Sequence, residues 1–131
     1  NKKKYITMLT WNHVKHCLQS EEVINCSNIG VIIVEGLFLY NNSTLRDLFD
    51  LKIFVDTDDD IRLLRRIRRD IVQRKRTMEY VLDRWEKFVK PSTDAYITPT
   101  KKYANLIIPN GVSNFMSIKL LSNIINYNVI S

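Results

Sequence analysis

The chain has 131 residues, 45% of them apolar and 10% aromatic, with a formal net charge of +6 and a pI near 9.4. That composition excludes an intrinsically disordered chain, and no apolar run approaches the ~20 residues of a membrane-spanning helix, the longest, "IGVIIVEGLFLY", being broken by Glu35. The basic excess points to anionic partners: phosphorylated small molecules, nucleic acid or acidic proteins.

The length suits one domain or part of one. Residues 1–28 show no clean period of two or of 3.6 and read as irregular, with room for a short strand. Cys17 and Cys26 lack the spacing of a zinc site, and no secretory signal or basic presequence precedes them. They read as reduced thiols of a soluble cytosolic protein. "VIIVE" (Val31 to Glu35), "LKIFVDT" (Leu51 to Thr57) and "NLIIPN" (Asn105 to Asn110) are nearly continuously apolar, the pattern of strands buried on both faces of a parallel sheet. The intervals between them are long enough for crossovers. "STLRDLFD" fills the first with a short helix, and the second holds a helix starting near Asp58, with Asp58, Asp59 and Asp60 at its positive end. Another helix is predicted from about Thr77 through "MEYVLDRWEKFVK", with a bend at Pro91. The last, in "SNFMSIKLLSNIINY", takes Ser113 or Asn114 as N-cap. The order β-α-β-α-α-β-α predicts an α/β fold.

The helix after Asp58 carries the strongest chemical signal. "IRLLRRIRRDIVQRKR" (Ile61 to Arg76) holds eight basic side chains and one acid, Asp70. At about 100° per residue, Arg62, Arg65, Arg66, Arg69 and Arg76 form one stripe, with Leu63, Leu64, Ile67 and Ile71 opposite. Most charge runs are solvated faces. This one is almost all arginine, the residue suited to bidentate phosphate contacts, and it lacks the run of acids that a surface helix carries. An anion site is the stronger reading. Glu35, expected at the carboxyl end of its strand, is placed where α/β sheets bind ligands and where an acid can hold Mg²⁺ through water. Arginines and a metal-holding acid are the two electrostatic requirements of phosphoryl transfer. No G-x-x-x-x-G-K-[ST] loop is present among the 131 residues.

From Val31 onward the chain resembles the uridine–cytidine kinases, nucleoside kinases of the P-loop superfamily. The resemblance rests on "VIIVEGLFLY", "RDLFDLKIFVDTDDDIRLLRRIRRD" and "FVKPSTDAYITPTKKYANLIIPNG", in that order. The last is close to a family pattern K-P-x(7)-P-T-K-x-Y-A-D-x-I-I-P. Phosphoribulokinases share the architecture but match these stretches less well. The resemblance implies a partial P-loop kinase fold in which residues 58–90 form a lid and residues 1–28 a substrate-side segment of one nucleoside-kinase domain. It implies ATP and Mg²⁺ as cofactors, a pyrimidine nucleoside as substrate, and a homo-oligomer, a tetramer in the family. By position, Glu35 organises the magnesium water shell, Arg69 and Arg74 reach the transferring phosphates, and Arg66 and Arg76 the nucleoside and its ribose. Leu37 belongs to the substrate side, and Ser113 stands where the family often has an Asp near the adenine.

Several positions depart from the family. Arg84 replaces a Gln at a sugar contact. The family's Y-D-F-x-x-H is matched by "WNHVKH", so that Trp11 replaces the Tyr and His13 the Phe, while His16 is the base-reading histidine. Asn110 replaces an Arg. The family's phosphate loop and Asp general base lie ahead of every matched segment, and the chain starts at Asn1 rather than Met. The expectation is therefore the C-terminal portion of a pyrimidine-salvage kinase, inactive alone. Two rivals follow from the same residues: a non-catalytic homologue kept for assembly or regulation, favoured by Arg84, Trp11 and His13, and an RNA- or polyanion-binding module. The module would need aromatics interleaved with the arginines for base stacking, and there are none.

Overall fold

A computed structural model describes residues 5–12, 17–27 and 29–130. The chain forms two units, one running to Ile33 and taking up the chain again from Ile124, the other spanning Val34–Asn123.

In the first unit, β1 (Tyr5–Asn12) pairs antiparallel with β2 (Cys17–Asn25), with Ile6 opposite Ile24 and a register shift between Thr10 and Trp11. An irregular segment was expected here. Tyr5 and Leu9 project from one side of β1 and Ile6 and Met8 from the other, so neither face is polar and the alternation that announces a half-buried strand is missing.

In the second unit, β3 (Ile53–Asp56) and β4 (Leu106–Pro109) pair in parallel, Ile53 opposite Leu106 and Asp56 opposite Pro109. Lys52 and Asn105 close one end of the pair, through Asn105 N–H to the Lys52 carbonyl at 2.8 Å and Lys52 N–H to the Asn105 side chain at 2.9 Å. At the carboxyl end, Asn110 N–H donates to the Asp56 carbonyl at 2.8 Å. These are the predicted second and third strands, and they make the chain α/β with a short parallel sheet.

The predicted first strand is absent. Val31–Glu35 has no strand pairing and its side chains are exposed, Ile33 by 80%. A strand buried on both faces needs a neighbouring edge and two covering layers, and this segment has neither among the described residues. Glu35 therefore does not end a strand. It precedes a turn fixed by Tyr40, whose hydroxyl donates to the Ile53 carbonyl at 2.8 Å, and by Arg46, which donates to the Tyr40 carbonyl at 2.8 Å and stacks on Tyr103 at 3.8 Å. Burial raises the Tyr40 pKa. The short helix α1 (Ser43–Arg46) is capped by Asn42, which accepts from Leu45 N–H at 3.0 Å.

Between the strands run α2 (Asp59–Val72) and α3 (Met78–Arg84), the latter capped by the Thr77 hydroxyl. Val81 of α3 and Ile108 of β4 are the most buried apolar side chains among the described residues. The helical path does not stop at Pro91. It widens into π geometry over Trp85–Val89, passes Pro91 in a short α4 (Lys90–Ser92), and widens again over Thr93–Ile97. Longer-reach bonds on either side accommodate the proline's missing donor, and the Thr93 hydroxyl donates to the Val89 carbonyl at 2.8 Å. Phe88 and Tyr96 are exposed, while Trp85 is half-buried. A 3₁₀ segment (Thr98–Tyr103) leads into β4. After β4, Asn110 (φ 62°) and Gly111 (φ 53°) take left-handed backbone and turn the chain into α5 (Phe115–Ile130). Asn114 caps α5, accepting from Ser117 N–H at 3.1 Å. Among the described residues, no helix is long and apolar enough to cross a membrane.

Candidate functional site

The amphipathic pattern places α2 only in part. Leu63, Ile67 and Ile71 are half-buried as expected, but Leu64 is half exposed, and Arg62 and Arg66 are partly covered. Arg62 leaves the predicted row: it pairs with Asp59 one turn back and lies over Trp85 at 5.8 Å.

Three of the other arginines converge on Asp70, which is 4% exposed and is the one buried charged residue among those described. Arg69 Nε donates to its Oδ1 at 2.8 Å, Arg74 Nη1 stands 3.3 Å from the same oxygen, and Arg66 Nε lies 3.6 Å from Oδ2. The Arg66 distance is an ion pair too long for a hydrogen bond, and that buried Nε has no hydrogen-bond partner. Arg74 comes back to the helix because the chain reverses after Val72: Lys75 is left-handed (φ 55°) and Arg76 N–H donates to the Asp70 carbonyl at 3.0 Å. The Arg69 hydrogen bond, aided by the charges of Arg66 and Arg74 and opposed by burial, holds the Asp70 carboxyl below its ordinary range. Sequence reading saw arginines with almost no acids. The structure shows that a single acid organises three of them.

Arg76 and Arg84 form a second group. Their guanidinium carbons lie 5.1 and 5.5 Å from the Tyr80 ring centroid, and Arg84 also lies 4.8 Å from that of Phe88. Neither has a carboxylate partner among the described residues.

At the carboxyl end of the parallel pair, Ile61 and Arg65 of α2, Asn110, and Ser113 to Met116 line an open depression of about 550 Å³. It brings Ser113 beside an arginine of α2 at the edge where α/β sheets bind ligands. On the same rim, Asp56 ends β3 and pairs with Lys101, 45 positions further along the chain. Sequence reading gave this pair no role, although "FVD" closing an apolar strand was a usable signal. Lys90 was also missed. Its ammonium bridges Asp59 at 2.8 Å and Asp94 at 3.0 Å, tying the start of α2 to the α4 region. These contacts hold Asp59 low and raise Lys90.

Glu35 is exposed, with no hydrogen-bond or ion-pair partner among the described residues, and no cluster of three or more metal-ligating side chains occurs there. One free carboxylate fits a magnesium ion held through its own waters and substrate phosphates, since Mg²⁺ seldom asks a protein for more than one or two acids. Leu37, in the turn after Gly36, is 69% exposed. Trp11 sits opposite Leu18 in the backbone register, its side chain outside the described part, and His13 and His16 lie outside the described residues.

Comparison with known proteins gives these contacts a context. Residues 2–117 match the model of the Phosphoribulokinase / Uridine kinase family. The chain is 49% identical over 119 residues to the uridine kinase of Macrococcus caseolyticus, covering 91% of this chain and 57% of that protein. It is 46% identical over 112 residues to the uridine kinase of Lactococcus lactis, covering 86% and 54%. It is 56% identical over 93 residues to uridine-cytidine kinase A of Dictyostelium discoideum, covering 71% and 19%. The chain thus spans little more than half the length of these bacterial relatives. With a family model matched over most of its residues, and with the strand, arginine helix and P-T-K-K-Y-A segments falling inside the match, the chain belongs to the phosphoribulokinase/uridine kinase family.

Proposed function

We propose that this chain carries the lid and substrate-side portion of an ATP-dependent uridine–cytidine kinase. The enzyme moves the γ-phosphoryl group of ATP to the 5′-hydroxyl of a pyrimidine nucleoside. The names of the relatives supply the substrate class. The observation that supports the reading most is the convergence of Arg66, Arg69 and Arg74 on one carboxylate at the end of α2. Arginines held in fixed positions suit the charge spread over a transferring phosphoryl group.

In this reading Arg69 and Arg74 contact the phosphates, Arg66 the nucleoside, and Arg76 the ribose beside Arg84. Ser113, in the depression with Arg65, lies on the adenine side. Leu37, Trp11 and His16 belong to the nucleoside side, with His16 reading the base. Glu35 would hold Mg²⁺ through water, and the ion would supply charge neutralisation of the phosphates. The nucleoside 5′-oxygen attacks the γ-phosphorus, the bond from that phosphorus to the bridging oxygen breaks, and ADP leaves. The hydroxyl proton passes to the Asp base that the family places ahead of these segments. Residues 58–90 act as a lid that excludes water during transfer. Homo-oligomeric assembly is part of the same proposal.

The test is an assay of the full-length gene product with ATP, Mg²⁺ and either uridine or cytidine. Nucleoside-dependent release of ADP, matched mole for mole by nucleoside 5′-monophosphate, is the expected result. No turnover with any nucleoside rejects the kinase reading in favour of a non-catalytic homologue.

A further inference from the structure

Asp70 stands at the junction of two chain segments that both carry arginines. Its side chain faces Arg66 and Arg69 of α2 and Arg74 of the reversing turn, and its carbonyl takes the Arg76 N–H at 3.0 Å. Three cations around one anion leave the group with two positive charges in excess. Each guanidinium has five N–H donors, and Asp70 engages only one edge of each. Arg69 and Arg74 remain 42% and 57% exposed, with their other edges open to solvent.

Without Asp70, mutual repulsion would drive these side chains apart into separate rotamers, and any incoming polyphosphate would have to gather them. We infer that Asp70 is a positioning residue, which holds Arg69 and Arg74 together as a polyphosphate-receiving pair, with Arg66 fixed beside them toward the nucleoside, before the nucleotide arrives. The inference rests on the kinase reading but has its own readout. Because Asp70 also offsets positive charge at the site, binding and chemistry respond to its loss in opposite senses. Anion affinity holds or rises, whereas the geometry that supports transfer is lost. A residue that serves stability alone would move neither.

The experiment is Asp70→Asn in the full-length protein, with two measurements. In steady-state kinetics the variant should lose at least about tenfold in kcat with the KM for ATP unchanged or lower, a transition-state defect rather than a binding defect. In titrations with inorganic tripolyphosphate it should bind as tightly as the unaltered protein, or more tightly. Wild-type kcat with altered stability overturns the inference, and so does a loss confined to KM. Should the variant fail to fold, the unaltered protein labelled at its arginine side-chain nitrogens decides the matter. Arg69 Nε–H should give a resolved, exchange-protected resonance without ligand that shifts on adding tripolyphosphate. An unprotected or unmoved resonance overturns the inference. Failure of the kinase reading is seen separately, as absence of turnover in the unaltered enzyme.

Discussion

The three arginines around Asp70 should contribute unequally to folding stability, and the distances rank them. Arg69 makes a 2.8 Å hydrogen bond to a carboxylate whose side chain is 6% exposed, but its own side chain is 42% exposed. A charge-assisted hydrogen bond contributes about 1.5–3 kcal/mol, and screening at a half-exposed guanidinium reduces that to about 1–2 kcal/mol. Arg74, at 3.3 Å and 57% exposed, falls in the surface range of under about 1 kcal/mol. Arg66 is better covered but 3.6 Å away without a hydrogen bond, and it contributes a similar small amount. Removing the charge they share, in Asp70→Asn, should therefore cost about 2–3 kcal/mol, below the usual loss for one member of a fully buried pair. Double-mutant cycles combine this change with Arg69→Gln, Arg74→Gln and Arg66→Gln, read by urea unfolding. The largest coupling should belong to Arg69, and 0.5 M salt, which shortens the Debye length to about 4 Å, should shrink the Arg74 coupling most. Equal couplings, or an unchanged midpoint in Asp70→Asn, would refute the electrostatic account of this cluster.

Acid should reveal the same contacts. Asp70 and Asp59 are both held below the ordinary carboxylate range, so the unfolded chain takes up their protons first, near pH 4. Their stabilisation is complete above that pH and disappears as pH falls further through the folded values, and Asp70→Asn should flatten this part of a stability–pH profile measured by urea midpoint. Lys75→Gly should raise stability by about 0.5–1 kcal/mol, because φ 55° costs a side chain more than it costs glycine. A thermal midpoint lower than the unaltered protein's would contradict that. Asn114→Ala removes the acceptor for Ser117 N–H and should cost about 1 kcal/mol, seen as lost helicity and a lower midpoint.

What could be read from the sequence was what neighbouring residues decide. β3 and β4 are β-branched runs between polar residues, the half-buried face of α2 at Leu63, Ile67 and Ile71 follows from helical periodicity, and the cap at Asn114 precedes its helix directly. Features that depend on distant partners were not legible. Val31–Glu35 has the composition of a buried strand, yet composition cannot supply the neighbouring edge a strand needs. β1 and β2 were hidden because apolar and polar residues share both faces of each strand, leaving no alternation. Among the candidate site residues, Arg66 and Arg69 were marked by type and spacing, and Arg74 by the family resemblance. Their shared partner was not, because Arg74 approaches Asp70 only through the left-handed turn at Lys75. The depression joining Arg65 to Ser113 likewise depends on β4 lying beside β3, a pairing made across more than fifty residues.

The most direct measurement is nucleoside-dependent ADP release by the full-length enzyme with and without Arg69→Gln. If Arg69 contacts the transferring phosphate as proposed, loss of that charge-assisted contact, at about 1.5–3 kcal/mol, predicts a fall in kcat of roughly 10- to 150-fold for uridine and cytidine alike. Equal rates for the two proteins would show that the arginines gathered at the end of α2 do not act on phosphate, and would contradict the account at its centre.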